Sequence, residues 1–179
     1  AAGSEAAGGQ ALIFPLLEIS PADDKQALLS TAAQLADYQL AIFISPNAVD
    51  YSLPAILANG DWPASTQAAA IGPGTVKALL AHGITDCVAP PERFDSEGLL
   101  AEAPFTVDRI KGRKIVIFRG NGGRELLAET LTARGAEVDC ITCYQRSAPG
   151  DISPLVTAWQ QGGLDALTLS SSEALRHLL

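Results

Sequence analysis

The sequence predicts an α/β protein of the doubly wound class. Six apolar, strand-like runs alternate along the chain with segments of helical periodicity, and that alternation implies a parallel sheet covered by helices on both faces. A weak internal repeat adds a second expectation. "LAIFISPNAV" (40–49) and "ALTLSSSEAL" (166–175) both read as an apolar strand, a Ser turn and a helix, as two similar lobes would produce.

The strand-like runs are, in order, "ALIFPLL" (11–17), "LAIFIS" (40–45), "QAAAIG" (67–72), "KIVIFRG" (114–120), "AEVDCITCY" (136–144) and "DALTLS" (165–170). Between them, apolar residues recur at helical spacing over roughly 22–36, 47–58, 74–82, 96–102, 123–134, 152–161 and 172–179. "ARGAEV" and "AHGIT" each place a basic residue and then Gly where a helix should end, and Asp95-Ser96-Glu97 reads as an N-terminal cap. Three stretches break the rhythm: Phe14-Pro15 inside an apolar run, "RSAPGDISP" (146–154), which reads as a crossing between lobes, and the lead "AAGSEAAGGQ".

At 179 residues and 47% hydrophobic composition, the chain is long enough to bury a sizeable core. A net charge of −8 sets a surface field that repels nucleic acid and acidic membranes, so an anionic ligand must be held locally. No apolar run approaches the roughly 20 residues of a membrane span and no signal-peptide pattern is present, so the expectation is a cytoplasmic protein. Three cysteines, Cys87, Cys140 and Cys143, are too few for a disulfide framework. "CITC" has the spacing of a redox pair, but on a strand residues three apart point to opposite faces.

Ligands of open α/β sheets gather at the carboxyl ends of the strands. Four turns there share small residues, a hydroxyl or amide side chain and a helix start: "ISPNAV" (44–49), "AIGPGTVKAL" (70–79), "FRGNGGREL" (118–126) and "LSSSEAL" (169–175). In the third, the glycines either expose backbone N–H groups as an anion cradle at a helix N-terminus or make a tight turn. Phosphate-loop and dinucleotide signatures do not fit. His82 and His177 have no Cys or His cluster around them, and His82 suits a helix C-terminus, so no metal site is expected. No G-x-S-x-G elbow occurs. Among the tyrosines, Tyr144 stands out because it ends a strand directly before the crossing, where a phenol protonated at neutral pH can donate to a leaving group or simply pack.

Taken in order, "FPLLEI" (14–19), "IFISPNAV" (42–49), "AIGPGTVKAL" (70–79), "DSEGLL" (95–100), "FRGNGGRELLAETLTARGAEV" (118–138), "CYQR" (143–146) and "LSSSEAL" (169–175) resemble the uroporphyrinogen-III synthase family over nearly the whole chain. The resemblance implies two similar lobes, each a parallel sheet flanked by helices, joined by two extended connectors with a cleft between the lobes. Residues 1–16 and 149–179 would form the first, discontinuous lobe, and 17–148 the second with the connectors. The family's first strand, ahead of "GGQALIFPLL", and a second "IGPTTA"-like turn are not among the 179 residues, so the first lobe is expected to be incomplete at both ends.

The implied substrate is hydroxymethylbilane, an open tetrapyrrole with eight carboxylates, and no metal or cofactor takes part. The family's reaction loses the terminal hydroxyl as water, forms an azafulvene cation, passes through a spiro intermediate and closes the macrocycle with ring D inverted. Tyr144 matches the family's tyrosine, the candidate general acid. The matching turns nominate Ser45, Asn47, Gly72, Gly74, Thr75, Arg119, Gly120, Asn121, Gly122, Gly123, Arg124, Ser171 and Ser172 for the carboxylate arms, with Arg119 and Arg124 either contacting the arms or bracing the turn. A monomer is implied, with transient hand-over of substrate from hydroxymethylbilane synthase. The competing reading is a non-catalytic polyanion-binding regulatory domain derived from the same family.

Overall fold

The computed structural model describes residues 6, 8–122, 125–169, 175 and 176. The chain divides into two compact units, Ser20–Gln145 and a discontinuous one made of Ala1–Ile19 and Arg146–Leu179.

The sheet holds β1 (Glu18–Pro21), β2 (Leu40–Phe43), β3 (Gln67–Ala70), β4 (Cys87–Val88), β5 (Lys114–Gly120) and β6 (Glu137–Ser147), in the order β1-β6-β5-β2-β3-β4. The pairs β2/β3, β2/β5, β3/β4 and β5/β6 are all parallel, with Phe43 opposite Phe118 and Ile117 opposite Cys140. The helices are α1 (Gln26–Ala33), α2 (Pro46–Leu57), α3 (Pro73–Ala81), α4 (Ser96–Ala101), α5 (Val107–Ile110), α6 (Leu126–Ala133) and α7 (Ser153–Gln160).

"LAIF" and "KIVIF" read as unbroken apolar runs because their strands lie in the middle of the sheet and are covered on both faces. On one face Leu40, Ile42, Ile115 and Ile117 pack with Leu99 and Leu100 of α4 and Leu127 and Leu131 of α6. On the other, Phe43 stacks on Phe118 with ring centroids 5.0 Å apart, and α2 packs against α1 and α3. Each fully buried aliphatic side chain contributes roughly 1.5–3 kcal/mol. The expected helix ends are in place. Asp95 Oδ1 accepts from Gly98 N at 2.8 Å, while His82 and Arg134 are C-caps followed by Gly83 and Gly135, both at positive φ.

The short helix α5 is unexpected, and three strand assignments differ from expectation. Residues 11–17 form no strand, and pairing begins only at Glu18, because Pro15 lacks the N–H a ladder needs. Residues 165–169 have no ladder partner among the described residues, and an apolar run without a neighbouring strand has nothing to close its backbone hydrogen bonds. The edge strand β4, two residues long, is too short to show a periodicity. The second half of the internal repeat, with its helix over 172–179, falls largely outside the described residues.

Candidate functional site

From β2 the chain winds outward through α2, β3, α3 and β4, then crosses back to β5, α6 and β6 on the other side of β2. The winding direction therefore reverses between β2 and β5, and such a switch point opens a crevice at the strands' carboxyl ends. The turns that leave these two strands, 44–46 and 120–125, are two of the four nominated by the sequence.

Ser45 leaves β2 in an extended conformation and caps α2, its Oγ accepting from Ala48 N at 3.1 Å, with Pro46 pre-set for the first helical position. The same Oγ lies 3.0 Å from the Tyr144 hydroxyl. Tyr144 is 0% exposed, whereas Ser45 is only half-buried. The Tyr144 ring stacks with Tyr51 of α2 at 6.0 Å between centroids, and its carbonyl accepts from Asn121 N at 3.0 Å. β6 runs on to Ser147, so Tyr144 lies inside the strand and not at its end. A register shift at Arg119/Gly120 sets Gly120 opposite it.

Gly120 is held close to that ring: a Cβ there would sit 2.6 Å from Tyr144 Cζ. Among the described residues of this turn, Gly122 has positive φ, at 69°. Arg119 is engaged within its own turn. Its guanidinium grips Glu125 through two bonds of 2.9 and 2.8 Å and donates to Gly122 O at 2.8 Å. The pairing holds the Glu125 carboxyl below its ordinary pKa and the Arg119 guanidinium above its own. Arg119 also walls a cavity of about 230 Å³ at the switch point, with Ile44, Ile71, Ile117, Asp95 and Ser96.

Gly72 caps α3, and a Cβ on Gly74 would lie 3.5 Å from Pro46 Cγ, so the 44–49 and 70–79 turns are neighbours. Asn47 is half-buried in the first turn of α2. Thr75 is 3% exposed and faces the interior, with its N–H donated to Gly72 O at 3.0 Å. Gly123, Arg124, Ser171 and Ser172 lie outside the described residues. Ser45, Gly72, Gly74, Arg119, Gly120, Asn121, Gly122 and Tyr144 thus meet at the carboxyl ends of β2, β3, β5 and β6.

Cys140 is exposed and Cys143 buried, as opposite strand faces require, so "CITC" is not a vicinal redox pair; burial pushes the Cys143 thiol up to about 12. Among the described residues no group of three or more His, Cys, Asp or Glu could hold a metal ion, and no helix is long and apolar enough to cross a membrane. Sequence reasoning missed the isoleucine wall of the cavity and the Ser45–Tyr144 contact. The isoleucines read only as strand ends, and a contact across 99 residues leaves no local signal.

A family model described as uroporphyrinogen-III synthase HemD matches residues 1–179. The chain is 38% identical over 175 residues to the uroporphyrinogen-III synthase of Salmonella typhimurium, covering 97% of this chain and 70% of that one. It is 36% identical over 167 residues to the Escherichia coli protein of the same name, covering 92% and 67%. A crystal structure of a mutant uroporphyrinogen III synthase from Thermus thermophilus matches with a TM-score of 0.67 at 19% identity, over 99% of this chain and 69% of that one. That likeness speaks for the fold.

Proposed function

The chain belongs to the uroporphyrinogen-III synthase family, and from that premise we propose how its carboxyl-end turns serve the family's reaction. The function is the cofactor-independent cyclisation of hydroxymethylbilane to uroporphyrinogen III in tetrapyrrole biosynthesis. The substrate is already reactive, so the protein's task is to hold it such that inverted closure beats direct closure to the type I isomer. A 100-fold preference requires only about 2.7 kcal/mol of differential transition-state binding.

The observation that carries the mechanism is the Ser45–Tyr144 hydroxyl pair at the switch point, backed by the N-terminus of the 12-residue helix α2. Hydroxyls held there suit a reaction that begins with loss of a hydroxyl group and needs a proton donor. In this reading Tyr144 is the acid, and the turns around Ser45, Gly72 and Asn121 receive carboxylate arms through backbone and hydroxyl donors. The two-lobed arrangement with two connectors and a cleft belongs to the same proposal, supported by the resemblance of "FPLLEI" and "CYQR" to the family's connectors. So do a monomeric state and supply of substrate by hydroxymethylbilane synthase.

The test is an isomer assay. Hydroxymethylbilane is generated in situ, the product is oxidised after a short incubation, and type I and type III uroporphyrins are separated, with the full-length protein and this 179-residue chain in parallel. Type III from the full-length protein is expected. Type I alone, at the rate without enzyme, would overturn the synthase reading and favour a binding module.

A further inference from the structure

We propose that Ser45, and not Tyr144, is the residue that meets the departing hydroxyl, and that Tyr144 acts through it as the second member of a two-hydroxyl relay. The proposal rests on the synthase reading and on the burial of the pair. Tyr144 is 0% exposed with its hydroxyl 3.0 Å from Ser45 Oγ, and Ser45 is half-buried. A ligand at the switch point reaches Ser45 first.

Either hydroxyl of the pair can donate, and the hydrogen-bond inventory of Ser45 admits the same direction of transfer. A serine hydroxyl has two lone pairs and one proton. One lone pair takes the Ala48 N–H at 3.1 Å. With Tyr144 donating to the other, the Ser45 proton is left to point outward, on an oxygen polarised by two incoming bonds and by the N-terminus of α2. Gly120 and Tyr51 fix the phenol behind it, one against the ring edge and one stacked on it.

The step balances without a co-reactant. As the substrate's terminal C–O bond breaks, the Ser45 proton passes to the leaving hydroxyl, which departs as water, and the Tyr144 proton passes to Ser45. A phenolate is left behind Ser45, whose hydroxyl faces the azafulvene cation. Ring closure later releases the proton from the pyrrole α-carbon that forms the last C–C bond, and that proton returns through Ser45 to Tyr144.

The experiment compares Ser45→Ala, Ser45→Asn, Ser45→Thr, Tyr144→Phe and Ser45→Ala/Tyr144→Phe in the full-length protein, reading kcat and KM for type III formation in H2O and D2O. Asn retains an N-cap without a hydroxyl and Thr retains both, so folding and chemistry are read separately. Ser45→Ala, Ser45→Asn and Tyr144→Phe are each expected to lose kcat by roughly 10- to 100-fold with little change in KM, since an activated alcohol leaves readily. Ser45→Thr should recover most of it, and the double variant should be no worse than about threefold below either single one, as for residues that act as a unit. The dependence of kcat on deuterium fraction should be bowed in the parent, from two protons in flight, and straight in Tyr144→Phe.

Wild-type kcat in Ser45→Asn beside an impaired Tyr144→Phe would overturn the relay while leaving Tyr144 as a direct acid. Additive losses would also overturn it. Wild-type kcat in both would remove the phenol from the reaction and sink the Tyr144 part of the proposed function, whereas absent type III product in the parent would sink the synthase reading itself.

Discussion

Gly120 shows how a residue's sequence context and its structural reason part company. Three glycines between a strand and a helix read as an anion cradle or a tight turn, and that reading fits Gly122, which has positive φ. Gly120 instead lies on β5 with the Tyr144 ring against its Cα, where an added Cβ would be 2.6 Å from Cζ and 3.0 Å from the hydroxyl oxygen. Gly120→Ala must therefore push the phenol off Ser45. Overpacking of this kind costs about 1–3 kcal/mol. Urea unfolding of Gly120→Ala should show a lower midpoint with unchanged slope, and type III formation should fall about as far as in Tyr144→Phe. An alanine variant of parental stability would mean that the ring is not seated on Gly120. The need for glycine was legible in the sequence, but its cause was not, because it lies 24 positions away on the neighbouring strand.

At the scale of elements, what could be read was what repeats locally. β2 and β5 emerge within two residues of their expected bounds because central parallel strands are apolar on both faces. β6 extends three residues past its apolar run and past its last pair with β5, Gly120 opposite Tyr144; its other neighbour in the sheet is the edge strand β1, and "QRS" carries no apolar signal. At the amino end of the sheet, Tyr38 joins the start of β2 to β6, donating to Asp139 Oδ2 at 2.7 Å, with Lys114 Nζ 4.5 Å from its ring centroid. Burial first, and then the bond to the Asp139 carboxylate, push the Tyr38 phenol up to about 12. The sign follows directly. The unfolded chain ionises this phenol near pH 10 while the native state resists, so Tyr38's contribution is whole below about pH 10 and is lost as pH rises toward 12. Stability measured by urea from pH 8 to 11 should fall less steeply in Tyr38→Phe than in the parent. Parallel curves would remove Tyr38 from the alkaline transition.

At the scale of the whole molecule, composition predicts a conflict that the site must resolve. The chain carries −8 and its substrate eight carboxylates, so the mean field opposes their encounter. Arg119, the one nominated cation among the described residues, does not offset this, because its charge is committed to Glu125 through two bonds. In the proposed reading, recognition falls on hydroxyls, backbone N–H groups and helix N-termini, whose fields are short-ranged, while the repulsion is long-ranged. Salt discriminates between the two. The screening length shrinks from about 30 Å at 0.01 M to about 8 Å at 0.15 M, which removes the long-range repulsion and leaves contacts made within a few ångströms largely intact. With the charge of −8 carried by these 179 residues, kcat/KM for type III formation should therefore rise severalfold over that range, measured as initial rates at substrate well below KM and constant pH, with kcat nearly unchanged. A steady fall in kcat/KM would show that a basic cluster governs capture. The carboxylate arms would then be sorted by charge, not by the turns at the carboxyl ends of β2, β3 and β5.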